Sequence, residues 1–361
     1  MICKTSLAAC LLAVLCLSVP RAHAEIIVGN ASPTDSPSGI INVFANGANG
    51  NIAPVRSINP GTFNPIVTAS FIEYEPGEDV IYVADFWGQA IRVYEARANG
   101  YPGALRTMNS PPLGQVRAVR IDRGHDEMIA IASLTSICTW PRLANGSGVN
   151  PIRRIPWGGN SSSQLNNPAS IALNRPRGEI VVGDYKDDSA AGYPNRVIFH
   201  SRLADGASAA PLRIIEGPAT QLGGGSNVRV AVNEKDQTVF ALVGATQGAA
   251  SPSASVITFA ADANGNASPL RVLSGPLTGL GLASGEYPSG LSVDEDSGRL
   301  VISIGNNNSS ARGRIVVHSA FAFGNALPLA VLTGATTGIT SVPGDAAVTF
   351  DRIFKNGFDG Y

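Results

Sequence analysis

The chain has 361 residues, a formal net charge of −1, 15% charged residues, 40 glycines and 24 prolines. A balance this close to neutral carries no basic footprint, which excludes nucleic acid as the partner class. Short Val/Ile runs between Gly/Asn/Ser/Pro segments argue for an all-β chain with many turns.

Residues 1–24, MICKTSLAACLLAVLCLSVPRAHA, place Lys4 before an apolar run and end in Ala22-His23-Ala24. This reads as a secretory signal peptide, so the expected location is secreted or periplasmic. The run is short for a membrane span of roughly 20 residues. LAAC (7–10) imitates a lipoprotein box, but most of the apolar run follows Cys10. Cleavage removes Lys4 and Arg21, shifting the net charge to −3, and leaves Cys138 as the one cysteine. No intrachain disulfide is then available, so stability must come from core burial. No later segment approaches membrane-spanning length.

EIIVGNAS (25–32) opens the mature chain, and EIVVGD (179–184) nearly copies it. A larger repeat surrounds both. INVFANGANG (41–50), IRVYEARANG (91–100), ICTWPRLANG (137–146), VIFHSRLADG (197–206), VITFAADANG (256–265) and IVVHSAFAFG (315–324) share Ala at the eighth position and Gly at the tenth. An LR-like pair follows in PVRSI, ALRTM, PIRRI, PLRII and PLRVL, and the sixth copy reads PLAVL. Between the units come inner strands such as SIALN (170–174), RVAVN (229–233) and GLSVD (290–294), then second strands such as DVIYVAD (79–85) and RLVISIG (299–305). Each repeat is thus four antiparallel strands, and a period of this length marks propeller blades.

Second strands fall at 26–29, 79–85, 127–132, 179–184, 238–243 and 299–304, which predicts six blades. The N-terminus supplies three strands of one blade, and AAVTF (346–350) supplies its inner strand. The expectation is a six-bladed β-propeller over 25–351 with three-plus-one closure, a tail at 352–361, and a monomeric state. DVIYVADFWGQAIRVY (79–94) resembles the NHL-type repeat, and the resemblance implies the propeller fold for essentially the whole of 25–351. It implies little about activity, because this fold serves binders and enzymes alike.

Candidate chemistry is sparse. His200 and His318 occupy the fourth position of the repeated unit, where the other copies have Phe44, Tyr94, Trp140 and Phe259, so both read as packing rings. His125 lies in a turn. Asp122, Asn174, Asn233, Asp294 and Asp351 end inner strands, where Asx side chains bond nearby backbone N–H groups. Cys138 reads as a packed thiol. The repeated Arg56, Arg106, Arg153, Arg213 and Arg271 belong to the rim, with some inter-blade pairing. The tail RIFKNGFDGY (352–361) resembles short tails at the ends of some secreted bacterial proteins, as a processing signal or a packed cap.

The face carrying the loops between second and third strands, and between blades, varies most. Irregular loops on a rigid scaffold are where binding concentrates. Trp87, Trp157, Tyr185, Tyr193 and Tyr287 lie there with Asp85, Asp184, Asp187 and Asp188. The leading expectation is a non-catalytic module binding a peptide, glycan or protein on that face, with no cofactor. Two readings stand beside it. Some propellers of this shape are metal-dependent lactonases, lyases or hydrolases. Here a divalent metal would rest on Asn64, Asn167, Asn227 and Asp345 near the axis. The other is a passive surface or matrix component.

Overall fold

The computed structural model describes residues 25–30, 39–61, 65–109, 113–158, 161–186, 195–223, 228–244 and 252–349. The leader 1–24 and the tail 352–361 lie outside them, as does Asp351. Among the described residues there are six four-stranded antiparallel sheets, and the only helical elements are short 3-10 turns. The fold is all-β, a six-bladed propeller.

Blade 1 runs, from axis to rim, Pro343–Val348, Glu25–Asn30, Ile40–Ala45 and Arg56–Ile58. Both ends of the chain therefore build it. The register is Ile26 opposite Val348, Ile27 opposite Ala347 and Val28 opposite Ala346. Thr349 adds two bonds, its N–H to the Glu25 carbonyl and its Oγ1 from the Glu25 N–H, each 2.9 Å. Blade 2 spans Ala69–Glu75, Val80–Asp85, Ala90–Glu95 and Arg106–Met108. Blade 3 spans Ala118–Asp122, Glu127–Ala132, Ser136–Pro141 and Arg153–Ile155. Blade 4 spans Pro168–Asn174, Glu179–Tyr185, Asn195–Ser201 and Arg213–Ile215. Blade 5 spans Val228–Asn233, Thr238–Val243, Ser255–Ala260 and Arg271–Leu273. Blade 6 spans Glu286–Asp294, Arg299–Asn306, Arg314–Ser319 and Ala330–Leu332.

The near-continuous apolar runs have a direct cause. Each sheet is covered on both faces by neighbouring blades, so every residue of Glu127–Ala132 is buried. The apolar clusters lie across these seams, as where Tyr82 and Val93 of blade 2 pack with Ile129 and Trp140 of blade 3. The repeated ring position is fully buried in all six copies, at Phe44, Tyr94, Trp140, His200, Phe259 and His318. Burial pushes His200 down to about 4, so it packs as a neutral ring. His318 Nε2 lies 2.8 Å from the Thr278 carbonyl oxygen.

The tenth-position glycine is an inter-blade clasp. Its N–H donates to the middle residue of the preceding blade's rim strand: Gly100 to Ser57, Gly146 to Thr107, Gly206 to Arg154, Gly265 to Ile214, Gly324 to Val272 and Gly50 to Val331. All six glycines hold φ between 59° and 84°, where a Cβ is disfavoured. The ninth residue completes the clasp: Asn99, Asn145, Asp205, Asn264 and Asn49 accept the N–H of that same rim residue. The sixth copy has Phe323 instead and lacks that bond. The rim arginines also cross seams. Arg56, Arg213 and Arg271 donate to the carbonyls of Ala96, Ala261 and Ala320 in the next blade.

The copied VG in EIIVGN and EIVVGD marks a tight seam. A Cβ on Gly183 would stand 2.3 Å from the Val228 carbonyl oxygen, and one on Gly29 would stand 2.8 Å from that of Ala69. Both atoms belong to the next blade's inner segment or its approach. Glycine at the end of these second strands lets the neighbouring backbone come close.

Candidate functional site

The variable-loop face is anchored from below by two buried carboxylates. Asp85 ends the second strand of blade 2 and is fully buried. Its Oδ1 accepts the N–H groups of Val67 at 3.0 Å, Thr68 at 2.8 Å and Gly88 at 3.1 Å. Its Oδ2 pairs with Arg92 Nε at 3.0 Å. Asp184 does the same in blade 4, accepting from Asn166 and Asn167 and pairing with Arg196 at 2.8 Å. Burial nevertheless pushes the Asp184 carboxyl up. These carboxylates tie the loop entering each inner strand to the second strand of its own blade. Their oxygens are committed inside the protein.

The rings above them are different. Trp87 is 62% exposed and Trp157 is 49% exposed. Trp87 meets Phe86 edge-on, with centroids 5.0 Å apart and planes at 89°. Tyr185 is half-buried at the end of its strand. Tyr287 leans on Gly305, whose Cβ would lie 2.9 Å from the Tyr287 ring, and burial raises its phenol. Asp187, Asp188, Tyr193, Asn64 and Asn227 lie outside the described residues.

The central channel is where sequence reading missed most. A cavity of about 330 Å³ opens on the opposite face, where hairpins join inner to second strands. Glu73 and Arg120 line it beside the small residues Ala172, Ala231 and Ser292. Arg120 bonds Glu73 at 2.8 Å, and its guanidinium lies 4.1 Å over the Phe71 ring. Around the mouth Arg175 pairs with Glu234 at 2.9 Å and Arg123 with Glu75 at 2.9 Å. The three arginines of the vestibule are each paired with a glutamate of its lining. His125 lies in a hairpin turn on this side, exposed, with Nδ1 2.8 Å from Asp122 Oδ2.

Deeper along the axis, Asp345 is buried at the start of the closing strand. Its Oδ1 accepts the Ala346 N–H at 3.0 Å. Its Oδ2 has no hydrogen-bond partner and stands 3.7 Å from Arg120. Burial pushes this carboxyl up to about 7, against the pull of Arg120 and Arg229. Asn167 Oδ1 is taken by Arg117. The two described members of the expected metal set therefore each sit beside guanidinium groups. Positive charge of that kind repels a divalent cation, and no cluster of three or more His, Cys, Asp or Glu side chains suited to a metal occurs among the described residues. Cys138 is buried and its thiol is pushed up to about 11, as a packed side chain requires.

No family model matches the chain, and no curated protein matches it. Among solved structures, a chain of the nidogen/laminin complex is similar at TM-score 0.54 and 9% identity, covering 91% of this chain and 99% of that one. Hydrazine synthase of Kuenenia stuttgartiensis aligns at TM-score 0.47 and 13% identity, over 81% of this chain and 75% of that one. At 9% identity the likeness to the nidogen/laminin chain shows the fold alone. No helix of the described residues is long and apolar enough to cross a membrane.

Proposed function

We propose that this chain is a secreted, non-catalytic propeller of the NHL-like type that binds a protein partner on its variable-loop face. The observation that carries the reading is the pair Trp87 and Trp157, exposed on a face whose described carboxylates are committed internally. Tryptophan supplies a large rigid contact area and dominates interface energetics where it is found. The solved chain with the shared fold comes from a protein–protein complex, which is consistent with this use of the scaffold.

The test begins with crosslinking in the secreted fraction, then pairwise binding of the purified partner. Each tryptophan anchor contributes about 2 kcal/mol or more, so Trp87→Ala with Trp157→Ala should weaken binding by roughly a thousandfold. Unchanged affinity in a folded double variant would overturn the assignment. N-terminal sequencing of the exported protein should begin at Glu25.

A further inference from the structure

The axial channel carries charge that the fold does not use up. Arg117 lies just before the inner strand of blade 3, and Arg229 lies in that of blade 5. Both reach the inner strand of the blade between them. Arg117 Nη1 donates to the Pro168 carbonyl at 3.1 Å and to Asn167. Arg229 Nη1 donates to the next carbonyl, that of Ala169.

Local backbone explains how one strand serves both. The register of blade 4 slips between Pro168 and Ser170, so Ala169 is bulged out of the ladder. A bulge frees backbone groups from pairing and re-aims them. Two guanidinium groups thus converge on consecutive peptides at the variable-loop end of the channel.

Neither arginine has an ion-pair partner among the described residues, unlike Arg92, Arg120 and Arg196. Arg229 Nε is buried with no hydrogen-bond partner, although the residue as a whole stays partly exposed. The acid that acts on Arg229, Asp345, is buried and stands 3.7 Å from Arg120. Burial lowers the Arg117 and Arg229 guanidinium groups; at Arg229 the attraction of Asp345 opposes this and the repulsion of Arg117 adds to it.

We infer that Arg117 and Arg229 form a carboxylate-binding subsite, filled by an acidic side chain of the protein partner inserted at the channel mouth. This deepens the proposed function and rests on it. Arg120 pairs with Glu73, while Arg117 and Arg229 have only the buried Asp345 near them, whose carboxyl is pushed up to about 7, so this end of the axis is net positive. That positive excess suits an anionic group. The planar fork of arginine also matches a carboxylate in shape.

Calorimetry on the mature protein tests this with a blocked tetraglutamate peptide, its tetraglutamine analogue, trigalacturonate and inorganic phosphate. Tetraglutamate should bind at one saturable site, weaken with added salt, and weaken about ten- to a hundredfold in Arg117→Gln with Arg229→Gln. Tetraglutamine should not bind. The Lys variants at both positions, which keep the charge, should recover part of the affinity, and equal melting temperatures establish that the variants fold. Equal tetraglutamate affinity in the folded Gln variant, or none in the wild type, overturns the subsite. Tight trigalacturonate or phosphate with no peptide binding overturns the protein source of the carboxylate. Loss of the purified partner from the tryptophan variant, but not from the arginine variant, would sink this inference and leave the proposed function standing.

Discussion

Asp345 allows a quantitative test of the channel electrostatics. Its carboxyl sits at about 7 in the folded protein against 3.8 for an unstrained aspartate, with burial as the first cause. The folded state therefore holds a proton that the unfolded state releases. Between those two values the native protein binds more protons, so its stability falls as pH rises. At about 1.4 kcal/mol per pH unit, this interval amounts to about 4 kcal/mol. Below pH 4 the group is neutral in both states and costs nothing. Above pH 7 the full penalty is present. Asp345→Asn keeps the shape and removes the ionisation, so the variant should match wild type near pH 4 and gain stability progressively towards pH 8. Urea denaturation across that range measures it, and subtracting the two proteins cancels the titration of every other carboxylate. A difference that stays flat with pH would refute the reasoning. It would mean that Arg120 and Arg229 already hold Asp345 ionised at ordinary pH, despite its unbonded Oδ2.

Other outcomes follow from the seams. Gly183→Ala should lower the denaturation midpoint by an amount equivalent to about 1–3 kcal/mol, because its Cβ meets a backbone carbonyl rather than a side chain that can swing away. Asn145→Ala should cost about 0.5–1.5 kcal/mol in the same assay, since it deletes the bond to Thr107 N–H. Phe323→Asn should do the reverse and raise the melting temperature, by installing the missing acceptor opposite Val272 and removing an exposed ring. Cys138 should stay unreactive to a thiol reagent at pH 8 in the folded protein and react fully once urea unfolds it.

The architecture was legible because blade packing repeats. Every blade must fill the same seam, so the same slot asks for a ring at Phe44, Tyr94, Trp140, His200, Phe259 and His318, and the same turn asks for a left-handed glycine. Closure was legible for the same reason, although the closing strand begins at Pro343 rather than Ala346 and ends at Val348. The exposure of Trp87 and Trp157 was readable from their loops. The fate of Asp85 and Asp184 was not, because an aspartate ending a strand looks alike whether water or a backbone caps it. Their shared partners gave a usable signal: Arg92 and Arg196 stand on the adjoining third strand in those two blades.

The channel was illegible for a different reason. A seam constrains each blade separately, whereas the axis constrains only what the six inner strands present together. Glu73, Arg120, Ala172, Ala231 and Ser292 occupy matching levels and carry an acid, a base, two alanines and a serine. Nothing in any one repeat announces such a level, and its net charge appears only when the ring is closed. The same logic locates function on this scaffold. Positions that repeat are held by packing, so they are poor candidates for recognition. Positions that break the repeat at some cost to the fold are better ones. Arg117 and Arg229 meet that condition, since each brings a guanidinium onto the backbone of blade 4 with no ion-pair partner among the described residues. A self-contained structural part would have placed Asp345 within bonding distance of both.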